Sequence, residues 1–194
     1  MIRYPRERVD EILRPVRITA VYRILLKAFL STPLALKPGR SRFCDGSSFA
    51  VLYAAGRFDT AFVETVVRDR FVQADRRVIS MDEVRTRGCV EFVLPESESL
   101  RLVDLRDDGC LKLGAPTDAA HARNHSAGRA LGRALYDDHD HVDGIWYRSR
   151  LTGGECFAIF DRAAAKLRVQ HLQNLIDHPD LPAVLREHSV FLEE

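Results

Sequence analysis

Four short stretches hold side chains whose types and order can do chemistry. They are Val21-Tyr-Arg-Ile24, Gly39-Arg-Ser-Arg-Phe43, Val51-Leu-Tyr53 followed by Thr60-Ala-Phe-Val-Glu64, and Asp143-Gly-Ile-Trp-Tyr-Arg-Ser149. Arg42 precedes Tyr53 by 11 residues, and Tyr53 precedes Glu64 by 11 again. Taken singly, each residue has a plain structural reading: Arg42 as a surface arginine, Tyr53 as a half-buried strand aromatic, Ser149 as a strand-end hydroxyl, Trp146 as core. Arginine's planar fork suits phosphate or carboxylate. Glu64 stands among apolar residues of a helical stretch. If it faces the core it needs a partner, because an unpaired buried carboxylate is costly; an arginine is the expected one.

Other constellations carry less. His121 and His125 stand four apart, a spacing that can put two imidazoles on one metal. The glutamate of an HExxH motif is missing, since Ala122 stands there. Asp137-Asp-His-Asp-His141 reads as a polar loop after a helix. The cysteines, Cys44, Cys89, Cys110 and Cys156, form no CxxC pair; they are expected reduced and buried, and no metal is expected. Gly46-Ser47-Ser48 is not a GxSxG, and none of the seven histidines has a context marking it as the base for a serine nucleophile. GxGxxG after a strand and GxxxxGK[ST] are both missing, so the Rossmann and P-loop routes to a nucleotide are closed.

These residues need elements to hold them. With 194 residues, 46% hydrophobic and 29% charged, the chain suits one globular domain. The charge of +1, from 29 basic against 28 acidic residues, gives no global field for nucleic acid or an acidic membrane. Twenty-five of the basic residues are arginine and four are lysine. Codon bias explains such a ratio as well as function does, so only position can decide. The longest apolar run, Phe49–Ala55, is too short to span a bilayer. The N-terminus, MIRYPRERVDEILRP, has no apolar segment of a signal peptide, so a cytoplasmic protein is expected.

Residues 1–16 read as a polar N-terminal extension and 17–194 as the single domain. Strands are expected at 17–29, 49–55, 77–80, 88–94, 100–105, 144–147, 156–160 and 167–172. Helices are expected at 60–71 with Asp59 as cap, at 118–136, and at 179–188. Strand runs mixed with two main helices argue an α+β fold with a mixed or antiparallel sheet and flanking helices.

The ordered set of four stretches resembles the RES domain family, over about residues 17–172. In that family an Arg-aromatic pair precedes a strand ending in Tyr, a helix with Glu follows, and a DG-apolar-apolar-Tyr-x-Ser strand comes later. Departures are mild: the family often carries GGRW where this chain has Ser-Arg-Phe43, and Asn after the glycine pair where it has Glu155-Cys156. RES proteins are toxins of bacterial toxin–antitoxin modules. The resemblance implies a compact fold like that of ADP-ribosyltransferases and diphtheria-toxin-like enzymes. It implies NAD+ as substrate, with no metal, and cleavage of the nicotinamide–ribose bond. The ADP-ribose goes to water, to phosphate, or to a protein such as phosphoribosyl pyrophosphate synthetase. The implied partner is an Xre-type antitoxin that covers the active site, and any nucleic-acid contact would run through it.

By this resemblance Glu64 and Arg42 are the catalytic candidates, and Arg23, Arg42, Tyr53 and Ser149 the NAD+-binding ones. Nicotinamide leaves neutral, so the site must chiefly stabilise an oxocarbenium-like ribosyl centre and hold a dianionic pyrophosphate. Glu64 suits the first task, Arg23 and Arg42 the second. Tyr53 would stack on nicotinamide or ribose. Ser149 would bind phosphate or ribose, or fix Glu64 or an arginine. The competing class is a non-catalytic nucleotide-binding or regulatory module that kept the pocket.

Overall fold

The computed structural model describes residues 2–194. In chain order the elements are α1 (Arg6–Ile12), β1 (Leu13–Val16), β2 (Val21–Leu26), β3 (Val51–Ala55), α2 (Phe58–Phe62), β4 (Val78–Ser80), α3 (Met81–Arg85), β5 (Arg87–Val93) and β6 (Leu100–Asp104). There follow α4 (Gly109–Leu113), α5 (Asp118–His121), α6 (Ser126–Asp138), β7 (Gly144–Arg148), β8 (Glu155–Phe160), α7 (Asp161–Ala164), β9 (Arg168–Asn174), α8 (Leu181–Glu187) and β10 (Phe191–Glu193). Among the described residues, eight strands form one sheet in the order β1-β6-β7-β8-β3-β2-β5-β9, and β10 pairs with β4 apart from it. Only β6 and β7 run parallel within the large sheet. The fold is α+β, as expected.

Strand alternation sorts the core onto two faces. In β8, Phe157 and Ile159 join Leu52, Phe92, Leu100 and Leu102 on one side. Cys156, Ala158 and Phe160 join Phe62, Leu131, Leu135 and Tyr147 on the other. Because both faces are covered, β8 reads as an unbroken apolar run rather than an alternating one. The second face carries α2 and α6, and Glu64 follows α2 on that side.

Three expectations need correction. The N-terminal segment is not an extension: Val9 and Ile12 are buried in the core, and β1 pairs with β6 over four positions. Its amphipathic spacing was masked by Pro5 and Pro15. The helix at 118–136 is two helices. Ala122 leaves the helix with ψ 154, and Asn124 Oδ1 accepts the Ser126 N–H, starting α6 afresh. The helix expected at 60–71 ends at Val67, and Asp59 lies inside its first turn rather than at its cap. Among the described residues no helix is long and apolar enough to cross a membrane.

Candidate functional site

The sheet opens where the site lies. β2 and β3 pair at one position, Tyr22 with Ala55, whereas β2 pairs with β5 over six and β3 with β8 over five. A cavity of about 530 Å³ lies where they part. Its wall takes Arg23 from β2, Tyr53 from β3 and Glu64 from the helical segment after α2, with loops at 40–42, 68–69, 123–125 and 150–151 around it.

Glu64 sits on an over-wide turn. Over Val63–Val67 the helix continues with one residue too many per turn, so that the Arg68 N–H reaches back five residues to the Val63 oxygen at 2.7 Å. Such π turns are uncommon and recur at functional sites. Arg68 then leaves the helix at φ 50, ψ −133, a conformation side-chain-bearing residues seldom adopt.

The expected arginine partner of Glu64 is not there. Among the described residues no ion pair reaches Glu64; its partner is Ser149, whose Oγ–H donates to Oε1 at 2.6 Å. That direction is forced. Ser149 Oγ already accepts the N–H groups of Leu151 and Thr152, each at 3.1 Å, so its own proton is left for the carboxylate. Ser149 is 4% exposed and stands behind Glu64. Of the partners the sequence offered Ser149, Glu64 is the one within hydrogen-bond reach here.

Arg42 is placed by its neighbours. Phe43 is buried and meets the Tyr147 ring edge-on at 5.1 Å. Gly128 and Gly132 on α6 let the backbone oxygens of Arg42 and Phe43 press directly on the helix; a methyl group at Gly132 would collide with the Phe43 carbonyl. Tyr53 closes the loop from the other side. Its hydroxyl accepts the Phe43 N–H at 2.9 Å and shares a hydrogen bond with Ser41 Oγ at 2.8 Å. Burial pushes the phenol up to about 12. Arg42 itself spends one nitrogen, Nη1, on the Ala122 oxygen at 2.9 Å, the carbonyl freed by the break between α5 and α6.

Six arginines line the cavity: Arg23, Arg40, Arg42, Arg68, Arg123 and Arg150. Among the described residues, four of them have no carboxylate partner, while Arg123 and Arg150 share Asp69. Arg23 is lowered by burial yet stays charged, and gives one bond to the Pro33 oxygen. Four unneutralised guanidinium groups around one cleft make a site for a polyanion. His125 lies in the same wall. Burial first, then the field of Arg42 and its neighbours, holds its imidazole below the ordinary range.

Of the residues the family resemblance pointed to, Arg23, Arg42, Tyr53 and Glu64 line one cavity, and Ser149 bonds Glu64. The resemblance did not name Arg68, Asp69, Arg123 or Arg150, which arrive on separate loops; Arg40 stood unassigned in the Gly39–Phe43 stretch, and His125 was weighed only as a metal ligand. The arginine excess was the only trace of Arg68, Arg123 and Arg150. The weaker constellations resolve elsewhere. His121 and His125 do not share a helix. His139 meets the Tyr4 oxygen and His141 meets Asp10, tying α1 to the loop before β7. The four cysteines are free and buried, as expected. Trp146 packs against Phe157, and Glu155 turns away to Arg106.

The strands thus part around a cleft that holds a carboxylate fixed by a serine and, among the described residues, four arginines without a carboxylate partner. The sequence model of the RES domain matches residues 16–184, and the chain belongs to that family. It is 40% identical over 102 residues to a "Probable toxin y4kH" of Sinorhizobium fredii (strain NBRC 101917 / NGR234), covering 53% of this chain and 79% of that protein. Its fold is like a chain in the crystal structure of the M. tuberculosis MbcT-MbcA toxin-antitoxin complex. There the TM-score is 0.64 with 16% identity, over 93% of this chain and 94% of the other.

Proposed function

We propose that this protein is the toxin of a bacterial toxin–antitoxin module and that its cleft cleaves the nicotinamide–ribose bond of NAD+. One observation carries the reading: a carboxylate held by a serine faces a cavity with four arginines that, among the described residues, no carboxylate pairs. The charge balance suits a dianionic pyrophosphate, and the cavity is of the size that takes a small-molecule ligand.

The residues divide the work. Arg42 and Arg23, each tethered to a carbonyl by one nitrogen, keep their remaining donors for phosphate oxygens. Glu64, with Oε1 taken by Ser149, keeps Oε2 for a ribose hydroxyl and for the positive charge that grows as the bond lengthens. In the reaction the C–N electron pair leaves with nicotinamide, which departs neutral. An acceptor oxygen forms the new bond to the ribose carbon and gives up a proton. The acceptor is water, phosphate or a protein side chain, phosphoribosyl pyrophosphate synthetase among the protein candidates; all need the same donor site. Tyr53 holds the Arg42 loop through its hydroxyl and offers its ring to the cavity. An Xre-type antitoxin over the cleft would silence the site, and the NAD+ pool sets the cytoplasm as its place of action. No metal enters this chemistry.

The test is to free the protein of any antitoxin and incubate it with NAD+, with and without phosphate and with and without cell lysate, measuring nicotinamide. Release by protein alone marks a hydrolase, dependence on phosphate a phosphorylase, and label on a lysate protein a transferase. No release from folded protein under any condition would favour the non-catalytic binding module.

A further inference from the structure

The turn between β7 and β8 is stitched to the segment that carries Glu64 along its whole length. Thr152 meets Thr60 through their hydroxyls at 3.2 Å. Ser149 donates to Glu64 at 2.6 Å. Arg150 Nη2 donates to both oxygens of Asp69, at 2.8 and 2.7 Å. From the opposite side Arg123 Nε reaches the same carboxylate at 3.4 Å. The first contact is between neutral groups and the second is the catalytic pair of the reading above. The third is the ionic one, and it lies at the end of the ladder where the backbone is least comfortable. Asp69 directly follows Arg68, whose φ of 50 and ψ of −133 terminate the over-wide turn. A π turn closed by a strained residue persists only if the surroundings hold it; an ordinary α turn would carry Glu64 to a different angle around the helix axis.

We infer that Asp69 is a positioning residue: its ion pair with Arg150 holds the π turn and the 149–154 turn together, and so keeps Glu64 on Ser149 and facing the cavity. This rests on the NAD+ reading for its catalytic consequence, but not for its structural one. The geometry of the pair fits an anchor rather than a consumed binding group. Only Nη2 of Arg150 and Nε of Arg123 are engaged by Asp69, so their other nitrogens stay free. Arg150 draws the Asp69 carboxyl below its ordinary range, first through this hydrogen bond. The Arg150 side chain is 28% exposed and Asp69 36%, sheltered more than an ordinary surface pair.

The test compares wild type with Asp69→Asn and, from the other partner, Arg150→Gln. Asp69→Glu serves as the conservative variant. Two readouts are taken, amide hydrogen exchange and the kinetics of nicotinamide release. Both disrupting variants should lose roughly tenfold in protection at residues 63–68 and 149–152, with the rest of the sheet unchanged. For Asp69→Asn, kcat should fall about tenfold with KM for NAD+ nearly unchanged, since a displaced catalytic group costs rate before binding. Asp69→Glu should recover most of it. Unchanged exchange in these two segments overturns the inference, and so does loosened exchange with an unaltered kcat. If wild type releases no nicotinamide, the NAD+ reading fails, and the exchange measurement alone decides whether Asp69 holds the segment.

Discussion

Arg106 and Arg42 are the same side chain put to opposite use. Arg106 is bound on all three of its nitrogens. It gives Nε and Nη2 to Asp104 at 2.9 and 2.8 Å and Nη1 to Glu155 at 2.5 Å, and its guanidinium lies 3.1 Å over the Trp146 ring. The Asp104 hydrogen bond, foremost among these contacts, raises its pKa. Arg42 gives one nitrogen to a carbonyl and meets no carboxylate among the described residues. A guanidinium bound to carboxylates through all three of its nitrogens holds the fold together. One left half-spent in a cleft has already lost part of its hydration and is ready for an anion. Arg162 belongs with Arg106: it binds the carbonyls of Tyr136, His139 and Val142 and lies over the Tyr136 ring.

Mutation should separate the two kinds. Arg42→Ala should lower nicotinamide release by about 10²–10³-fold, the scale for losing one charge-stabilising donor. Its unfolding midpoint should stay near that of wild type; a variant that melts early and keeps its turnover would erase the contrast. Arg106→Ala should do the reverse. Breaking a sheltered ion-pair cluster that also stacks on an indole should cost roughly 2–3 kcal/mol in denaturant unfolding, with activity per folded molecule intact. Tyr53→Phe sits between them. It frees the Phe43 N–H and Ser41, for about 1–2 kcal/mol of loop ordering, and should show as a raised KM more than a lowered kcat.

The smallest effect is one of pH. Burial pushes Tyr53 from 10.0 to about 12, and Cys89 and Cys156 from 9.0 to about 12. Each group is neutral when protonated, so a raised folded pKa means that unfolding favours proton loss. The stability they contribute is whole below pH 9 and drains between about pH 9 and 12. Thermal unfolding across that window should record the decline. Alkylation of the native protein below it should leave both thiols unmodified, and rapid labelling at pH 8 would contradict their burial.

How much of this was legible depends on what each feature answers to. Strands such as β3, β5 and β8 answer to apolar runs in their own residues, and their positions followed from the sequence within a few residues. The π turn at Glu64 leaves no period to read, because one inserted residue shifts the pattern by less than a turn. The break at Ala122–His125 is fixed partly by Asn124 and partly by Arg42, 80 residues away, which takes the freed carbonyl. Gly128 and Gly132, four apart on α6, admit the Arg42–Phe43 backbone, a contact that only the fold displays. In the site, Arg23, Arg42, Tyr53, Glu64 and Ser149 keep an order and spacing that survive in one dimension. The Asp69 pairs do not, since Arg123 and Arg150 lie 54 and 81 residues from it and meet it only through the fold. The exchange of an arginine partner for Ser149 at Glu64 was open for the same reason. Burial demands a partner, and does not say which.

The central claim is that the carboxylate fixed by Ser149 does the chemistry of the cleft. The most direct test replaces it with its neutral isostere, Glu64→Gln, which keeps the size and can still accept from Ser149. Nicotinamide release from NAD+ by purified, folded protein should then fall to background, and expression of the variant should no longer arrest growth. Turnover and toxicity at the wild-type level in a folded Glu64→Gln protein would contradict the account.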